Sequence, residues 1–262
     1  MTEQRARHGN DRERVEEKVQ TAHDDSVEEG VERLSRSWRV LVSTGFLGGV
    51  EISFGVLAFV ATLHETGSHL LAGLAFSIGF VALFLAHSEL FTEGFFYPIM
   101  GVWYGNGTIA ALLRLWGITL LMNLIGGWVS MWLVVTAFPE LHATFATVAH
   151  GFVDAPFSAE TACLALLAGA GITLMTRMQA GSESDAAALA ASVSGAYLLA
   201  GLSLFHSVLD SLLIFGALHS GAAELGYLDW IGWVWWVLLL NVIGGLALIT
   251  FPRVLRSSEL AR

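Results

Sequence analysis

Six long apolar segments dominate the sequence and restrict it to one class of fold. A helix needs about 20 apolar residues to cross the hydrocarbon core of a bilayer, where every backbone polar group must be paired internally. With 55% hydrophobic residues, the chain is also more apolar than ordinary soluble domains. We therefore predict an all-α, multi-pass membrane protein with six transmembrane helices. The predicted spans are residues 40–63, 69–103, 108–138, 157–178, 186–218 and 230–251.

The second and fifth segments are too long for one straight span, and polar residues interrupt both. Irregular backbone at membrane depth is tolerated only where it is buried in protein or lines a water-filled cavity. We therefore predict two broken helices that line a path through the molecule. The interruptions are His87, Ser88, Glu89, Gly94 and Pro98 in the second segment, and Ser203, His206, Ser207 and Asp210 in the fifth.

A pair of short motifs occurs twice, which indicates an internal repeat. His-Ser at 87 and 206 is separated by 119 residues, and Asn-x-Ile-Gly-Gly beginning at Asn123 and Asn241 is separated by 118. Many transporters consist of two homologous halves whose interrupted helices meet near the bilayer midplane. A chain with 28 glycines also produces accidental matches, so chance is the alternative explanation. Each Gly pair suits close helix approach, with the preceding Asn hydrogen-bonding an irregular neighbouring backbone.

The basic residues predict the topology. All thirteen Lys and Arg fall in the two tails and the two turns that six spans place on the same side as the N-terminus. By the positive-inside rule, both termini are expected in the cytoplasm, with the protein in the inner (plasma) membrane. We predict a charged cytoplasmic tail at 1–37, a transport domain at 38–252 and a second tail at 253–262. The first tail could be an amphipathic helix or a disordered arm.

Ionisable side chains inside the spans are costly and therefore candidates for function. His206 is the sharpest candidate, because histidine is the side chain whose charge switches near neutral pH. The residues do not supply the ligands of a metal site, a cofactor motif, a catalytic triad or a nucleic-acid footprint, so none of these is expected, and we predict that the chain is not an enzyme. A single cysteine, Cys163, can form no intrachain disulfide and is expected to be buried.

Three motifs together resemble the formate/nitrite transporter family: Ser88–Thr92 at the first break, His206–Val208 at the second and Asn241–Gly245 in the last span. The resemblance covers residues 38–251. The charged N-terminal extension and Glu93 are most similar to the branch named after the inner-membrane protein YfdC. The resemblance implies an aquaporin-like, inverted-repeat protomer assembled in the bilayer as a homopentamer. It also implies transport of a small monovalent anion or its weak acid, such as formate, nitrite or hydrosulfide.

The resemblance further implies roles for individual residues. Thr92 and His206 would face each other at the pore centre, where His206 relays a proton so that the substrate crosses as a neutral acid. Phe91 would form part of the cytoplasmic-side constriction, with Leu199 near its partner. Phe76 and Phe80 would form the outer-side constriction.

Two departures from the family pattern leave the substrate open. The family's better-known anion channels have a lysine near the outer vestibule that attracts the substrate, whereas the only lysine of this chain is Lys18 in the tail. His150 could be a partial substitute. Glu93 and Asp210 stand close to the expected path, where an ionised carboxylate would repel an anion. Either these acids are protonated, or they pair with His87 or His206, or the substrate is not a simple anion.

Three other classes of protein are alternatives to an anion transporter. A water channel of the aquaporin type should carry Asn-Pro-Ala boxes, and this sequence has no Asn-Pro dipeptide. A cation or metal transporter that uses the pore-side carboxylates remains open. So does a non-transporting membrane scaffold whose charged tail binds a partner.

Overall fold

A computed structural model of the chain describes residues 20–182 and 184–260, with side chains up to residue 256. Every regular element in these ranges is helical, and the prediction of an all-α fold is confirmed. The helices are α1 (20–35), α2 (Trp38–Thr66), α3 (His69–Ala86), α4 (Tyr97–Trp103), α5 (Ile109–Ala137), α6 (His142–Val153), α7 (Ala159–Ala180), α8 (Asp185–Gly201), α9 (Leu209–Ser220), α10 (Tyr227–Gly244) and α11 (Phe251–Leu260).

Five helical segments are long and apolar enough to cross a membrane: Trp38–Thr66, His69–Ala86, Ile109–Ala137, Ala159–Ala180 and Tyr227–Arg256. The last of them contains a π-helical turn at Gly245–Thr250 between α10 and α11. The fifth predicted span is divided into the shorter apolar helices α8 and α9. The expectation that Cys163 is buried is wrong, because its side chain is exposed on the surface of α7.

Both predicted interruptions are irregular segments. The first helix of each pair ends near a residue with left-handed backbone, His87 (φ 54°) after α3 and Ser203 (φ 50°) after α8. The chain then turns back before a short second helix begins. In the first half a 3-10 turn at Phe91–Phe95 leads into α4, whose first turn contains Pro98.

The connection between the third and fourth spans, which we expected to be a loop, is largely helical. Residues Pro139–Leu141 form a 3-10 turn and α6 follows directly. The apolar face that sequence reasoning missed has helical spacing: Phe145, Val148, Ala149 and Phe152 are all buried. His150 therefore lies on a helix and not in a loop.

Glycines allow the long helices to cross closely in both halves. A Cβ on Gly126 of α5 would lie 2.2 Å from the carbonyl oxygen of Phe46 in α2. A Cβ on Gly244 of α10 would lie 2.0 Å from the carbonyl oxygen of Leu166 in α7. Real Cβ atoms do not approach backbone oxygen this closely, so both crossings require glycine.

Helix α1 packs across one end of the bundle, which we call the α1 face. Gly30 lies against the backbone of Tyr97 and Gly101 in α4. Leu34 is buried in a small apolar cluster with Leu41 and Ile99 among others. The described part of the predicted tail is therefore a helix docked on the transmembrane domain, while residues 1–19 lie outside the described residues.

The far end of the bundle, which we call the opposite face, carries α6. His64 in the last turn of α2 contacts Thr144 of α6, with 3.0 Å between the ring Nδ1 and the hydroxyl. Since α2 begins at the α1 face, the two faces are separated by the length of that helix. The two broken spans meet between them.

Candidate functional site

The two breaks bring Thr92 and His206 together in the interior. The Thr92 hydroxyl lies 3.0 Å from Nε2 of His206, and neither residue is exposed. The backbone N–H of Leu209 donates to Nδ1 of the same ring at 3.1 Å. Because Nδ1 accepts this hydrogen bond, it carries no proton, and the ring is the neutral tautomer with its proton on Nε2. The Nε2–H therefore points at the Thr92 oxygen.

Asn123 holds the first break in place. Its Oδ1 accepts the backbone N–H of Phe91 at 2.8 Å, and its Nδ2 donates to the carbonyl oxygens of Gly45 and Glu89, both at 2.8 Å. A buried amide with three partners ties α5, α2 and the irregular segment into one unit.

Asn241 holds the second break with the same three bonds. Its Oδ1 accepts the N–H of Ser207 at 2.8 Å, and its Nδ2 donates to the carbonyls of Ala165 (2.8 Å) and Phe205 (2.9 Å). The two asparagines are therefore equivalent anchors for the two re-entrant segments.

These bonds also correct the register of the repeat. They make Glu89 equivalent to Phe205 and Phe91 equivalent to Ser207, which is a separation of 116 residues. The His-Ser motifs are separated by 119, so the two histidines are not structural counterparts. The counterpart of His206 is Leu90, three residues further along than the sequence match suggests. The repeat identified the correct segments and paired their residues wrongly.

The two acids near the path have different environments. Asp210 is buried, and its Oδ2 accepts the backbone N–H of His206 at 2.7 Å. Glu93 is 6% exposed, and its carboxyl lies near the backbone of Leu90 with no side-chain partner among the described residues. Neither acid pairs with the ring of His87 or of His206. Asp210 thus has a structural bond at the start of α9, while the Glu93 carboxyl has no side-chain hydrogen bond or ion pair among the described residues and lies near the Leu90 backbone and the charge of Arg33.

Glu89 is a residue whose partners sequence reasoning missed. Its Oε1 lies 2.8 Å from Nη1 of Arg36 and 3.9 Å from Nε of Arg33, and its side chain is almost fully buried. Both arginines come from the N-terminal extension. In the sequence they look like ordinary surface partners of Glu29 and Glu32 at helical spacing, so nothing local indicates a bond to residue 89.

Two cavities flank the centre. The α1-face cavity has a volume of about 510 Å³ and lies between α1 and the first break; Glu29, Arg33, His87 and Glu93 are among its lining residues. The opposite-face cavity has a volume of about 710 Å³ and is lined by residues of α6, α10 and the loop before α10. The two cavities lie on opposite sides of the buried pair, and neither lining includes Thr92 or His206.

The opposite-face cavity is where we expected a counterpart of the vestibule lysine of the family's better-known channels. His150 lines this cavity, but its Nδ1 lies 2.9 Å from the carboxylate of Asp154 on the same helix. Glu224 and Asp229 line the cavity as well. The lining of this mouth therefore carries acids and no unpaired cation among the described residues.

The predicted constriction residues lie at two levels. Phe91 stands near the α1 face, with its ring edge-on to Phe95 (5.2 Å between centroids) and to Trp116 (6.0 Å). Phe76 and Phe80 are buried on α3 with their rings edge-on at 5.2 Å. All three rings belong to the same buried apolar cluster.

Leu199 was expected near the partner of Phe91 at the cytoplasmic-side constriction, and the packing of α8 indicates a different level. Leu199 is two residues from Gly201, and Gly201 contacts the backbone of Gly73 near the start of α3. That start lies at the opposite face, one turn from Phe76. Leu199 is therefore at the level of Phe76, because α3 and α8 run antiparallel and the breaks fold back from their ends.

The chain matches one family of known proteins over most of its length. The model of the family described as formate/nitrite transporter matches residues 20–255. The chain belongs to the formate/nitrite transporter family. The expected likeness to the YfdC branch is confirmed as well: the inner membrane protein YfdC of Escherichia coli is 27% identical over 128 residues, which cover 47% of this chain and 41% of YfdC.

Other proteins similar to this member of the formate/nitrite transporter family are named as channels. The formate channel BtFdhC of Bacillus thuringiensis is 30% identical over 106 residues, covering 38% of this chain and 41% of the relative. The matched segments thus span about two fifths of the length of these curated relatives. Among solved structures, a formate/nitrite transporter family ion channel has a TM-score of 0.74 at 19% identity, covering 92% of this chain and 98% of its own. A pentameric formate channel with formate bound has a TM-score of 0.66 at 18% identity, with coverages of 81% and 94%.

The described residues contain no group of three or more His, Cys, Asp or Glu side chains placed to hold a metal ion. The helices and the family together make the chain a multi-pass membrane protein of a transporter family.

Proposed function

We propose that the chain is a channel or transporter for small monovalent anions and their conjugate weak acids, of the formate, nitrite and hydrosulfide class. The observation that carries this proposal is the buried His206–Thr92 pair between two cavities on opposite faces. The names of BtFdhC and of the formate-bound structural neighbour support it. We further propose a homopentamer in the inner membrane with both termini in the cytoplasm, as a transport protein and not an enzyme.

The chemistry of the centre suits a weak acid. A bare anion pays a large desolvation cost between apolar rings, whereas the neutral acid pays little. Nε2–H of His206 and the Thr92 hydroxyl offer two neutral hydrogen-bond donors to the carboxylate or nitrite oxygens. In the proposed constrictions, Phe91 stands on the α1 side and Phe76, Phe80 and Leu199 stand on the opposite side.

A proton relay at His206 would have one structural requirement. Nδ1 must accept a proton, and this requires the bond from the Leu209 N–H to open. The resulting imidazolium could then give its Nε2 proton to a bound anion. The relay is therefore coupled to movement at the start of α9.

The cation-transport alternative has less support from the side-chain contacts. Glu89 is paired with Arg36 and Asp210 accepts a backbone N–H, so two of the acids that motivated it are already occupied. Only Glu51, which accepts from Ser88 at 2.8 Å, and Glu93 remain near the first break.

Flux in proteoliposomes tests the proposal. Purified protein is assayed with formate, nitrite, hydrosulfide, acetate and water on both sides of neutral pH, together with His206→Ala and, as a matched control, His64→Ala at the end of α2. We expect flux of at least one of the three anions, loss of it in His206→Ala and retention in His64→Ala. Cation-dependent flux that ignores formate and nitrite would support a cation transporter instead. Absence of all flux would favour a scaffold.

A further inference from the structure

We propose that Glu93 is the group that gives a proton to the substrate on the α1 side of the central pair. An anion would then leave the α1-face cavity as its neutral acid. This inference rests on the proposed function and names the residue by which that function becomes proton-coupled.

The position of Glu93 places it between solvent and the centre. It lines the α1-face cavity, and it directly follows Thr92, whose hydroxyl contacts His206. Both residues lie in the same 3-10 turn, Phe91–Phe95. A substrate that moves from the cavity to Thr92 therefore passes the carboxyl of the next residue.

The contacts of Glu93 differ from those of the other buried acids. Glu89 is held by arginines, and Asp210 is held by the N–H of His206. Glu93 is only 6% exposed and has no side-chain partner among the described residues. Burying an unpaired carboxylate is costly, whereas a protonated carboxyl is a neutral donor that suits such a site. Glu93 is therefore free to hold and release a proton.

Arg33 is the positive charge that acts on Glu93, and it is already paired with other groups. Arg33 is bonded to Glu29 at 2.6 Å, lies 3.9 Å from Glu89 and stacks on the ring of Tyr97 at 4.7 Å. Arg36 is bonded to Glu89 and Glu32. The titratable and charged residues of the cavity are Asp25, Glu29, Glu32 and Arg33 from α1, Arg36 just after α1, His87 from the break, Glu93 itself and Tyr97 from α4. Acids outnumber arginines in this lining.

The proton step balances without any further reactant. The O–H bond of protonated Glu93 breaks and a new O–H forms on the anion, so that the products are the Glu93 carboxylate and the neutral acid. A proton taken up from the solution on the α1 side, carried through the water of the cavity, restores protonated Glu93, so each turnover consumes one proton from that side. The neutral ring of His206 cannot do this directly, because giving up its Nε2 proton would leave an imidazolate. While the Leu209 N–H bond to Nδ1 is closed, Glu93 thus supplies the proton on the α1 side, and His206 with Thr92 supplies the hydrogen bonds; a relay through His206 needs that bond to open first.

The test compares Glu93→Gln with Asp25→Asn in full-length protein in proteoliposomes. Asp25 lines the same cavity but is exposed, so the two variants make the same acid-to-amide change at a buried and at an exposed position of that cavity. A pH dye inside the vesicles reports proton entry while labelled formate reports uptake. In Glu93→Gln we expect proton entry to be lost and formate uptake to fall by roughly 100-fold, the low end for a positioned proton donor. Asp25→Asn should match the wild type, and Glu93→Asp should restore proton entry in part.

A second readout does not depend on transport. Infrared difference spectra on formate addition should show loss of the C=O stretch of a protonated carboxyl in the wild type, and no such band in Glu93→Gln. Wild-type proton coupling in Glu93→Gln, or an infrared difference unchanged by that substitution, would overturn the inference. If the wild type moves none of the anions but shows the infrared change, the proposed function fails while Glu93 remains a proton donor to a bound anion.

Discussion

His87 and Ser203 are structural equivalents, although one is a histidine and the other a serine. Both have left-handed backbone, with φ of 54° and 50°, and both follow the long helix of a broken span. They are 116 residues apart, the same separation that the Asn123 and Asn241 hydrogen bonds assign to the two breaks. His87 therefore ends a helix, while His206 lies in the buried pair with Thr92, and its counterpart in the first half is Leu90.

The first prediction concerns the asparagine anchors. Asn241→Ala removes three buried hydrogen bonds and leaves the N–H of Ser207 and two carbonyls without a partner, and Asn123→Ala does the same in the first half. Each lost or unsatisfied group costs about 1 kcal/mol or more. We expect each variant to be destabilised by about 3 kcal/mol, measured as a lower thermal midpoint in detergent. Asn106→Ala, at an exposed position, is the control and should leave the midpoint unchanged.

The second prediction concerns the glycine crossing between α10 and α7. Gly244→Ala places a methyl group 2.0 Å from the Leu166 carbonyl oxygen, so the helices must separate. Gly232→Ala on the same helix meets nothing within 4 Å. We expect Gly244→Ala to reduce the yield of folded protein on size-exclusion chromatography, and Gly232→Ala to match the wild type. Equal yields of the two variants would contradict the close crossing.

The third prediction concerns the docking of α1. Arg36→Gln and Glu89→Gln each break the 2.8 Å ion pair between the residue that directly follows α1 and the first break. Removing one member of a buried pair leaves the other unpaired, which costs about 3–5 kcal/mol when both are fully buried and less here, since Arg36 is partly exposed. We expect faster hydrogen exchange in residues 20–35 for either variant.

The matched control for α1 is Arg39→Gln, because Arg39 lies over the ring of Trp38 and forms no ion pair with α1 among the described residues. Its exchange should resemble that of the wild type. The double variant Arg36→Gln/Glu89→Gln should lose less than the sum of the two single variants, since both act on one interaction. Strict additivity would show that the two residues act independently.

The fourth prediction concerns acid and the α1 face. Burial lowers the pKa of His23, despite the opposing charge of Asp24, and the ring packs edge-on against Tyr104 at 4.6 Å. A histidine whose pKa is lower in the docked state favours docking above its free pKa of about 6.5, and this contribution is lost as the pH falls below that value. Exchange in residues 20–35 should therefore quicken from about pH 7.5 to about pH 5.5 after correction for intrinsic rates. In His23→Gln the change should be smaller; an unchanged pH response in that variant would rule out His23 as its cause.

The amino-acid sequence by itself determined the membrane class, the spans and the sites of the two breaks. Hydrophobic length and polar interruptions are local properties, and the bilayer allows few backbone solutions for them. The sequence also indicated the close helix crossings, because a Gly pair follows both Asn123 and Asn241. The family motifs also brought Thr92 and His206 to attention before their 3.0 Å contact was seen.

Other features were decided only by the tertiary structure. The pairing of the two halves at 116 residues, the docking of α1 through Arg36 and Glu89, and the level of Leu199 all depend on contacts between distant segments. A motif match does not report how a re-entrant segment folds back, and an arginine on a charged helix looks the same whether it meets water or a buried acid. The environment of Glu93 is the clearest case. Its carboxyl is buried by the packing of α1, α3 and α4, and only that packing shows that it has no side-chain partner among the described residues.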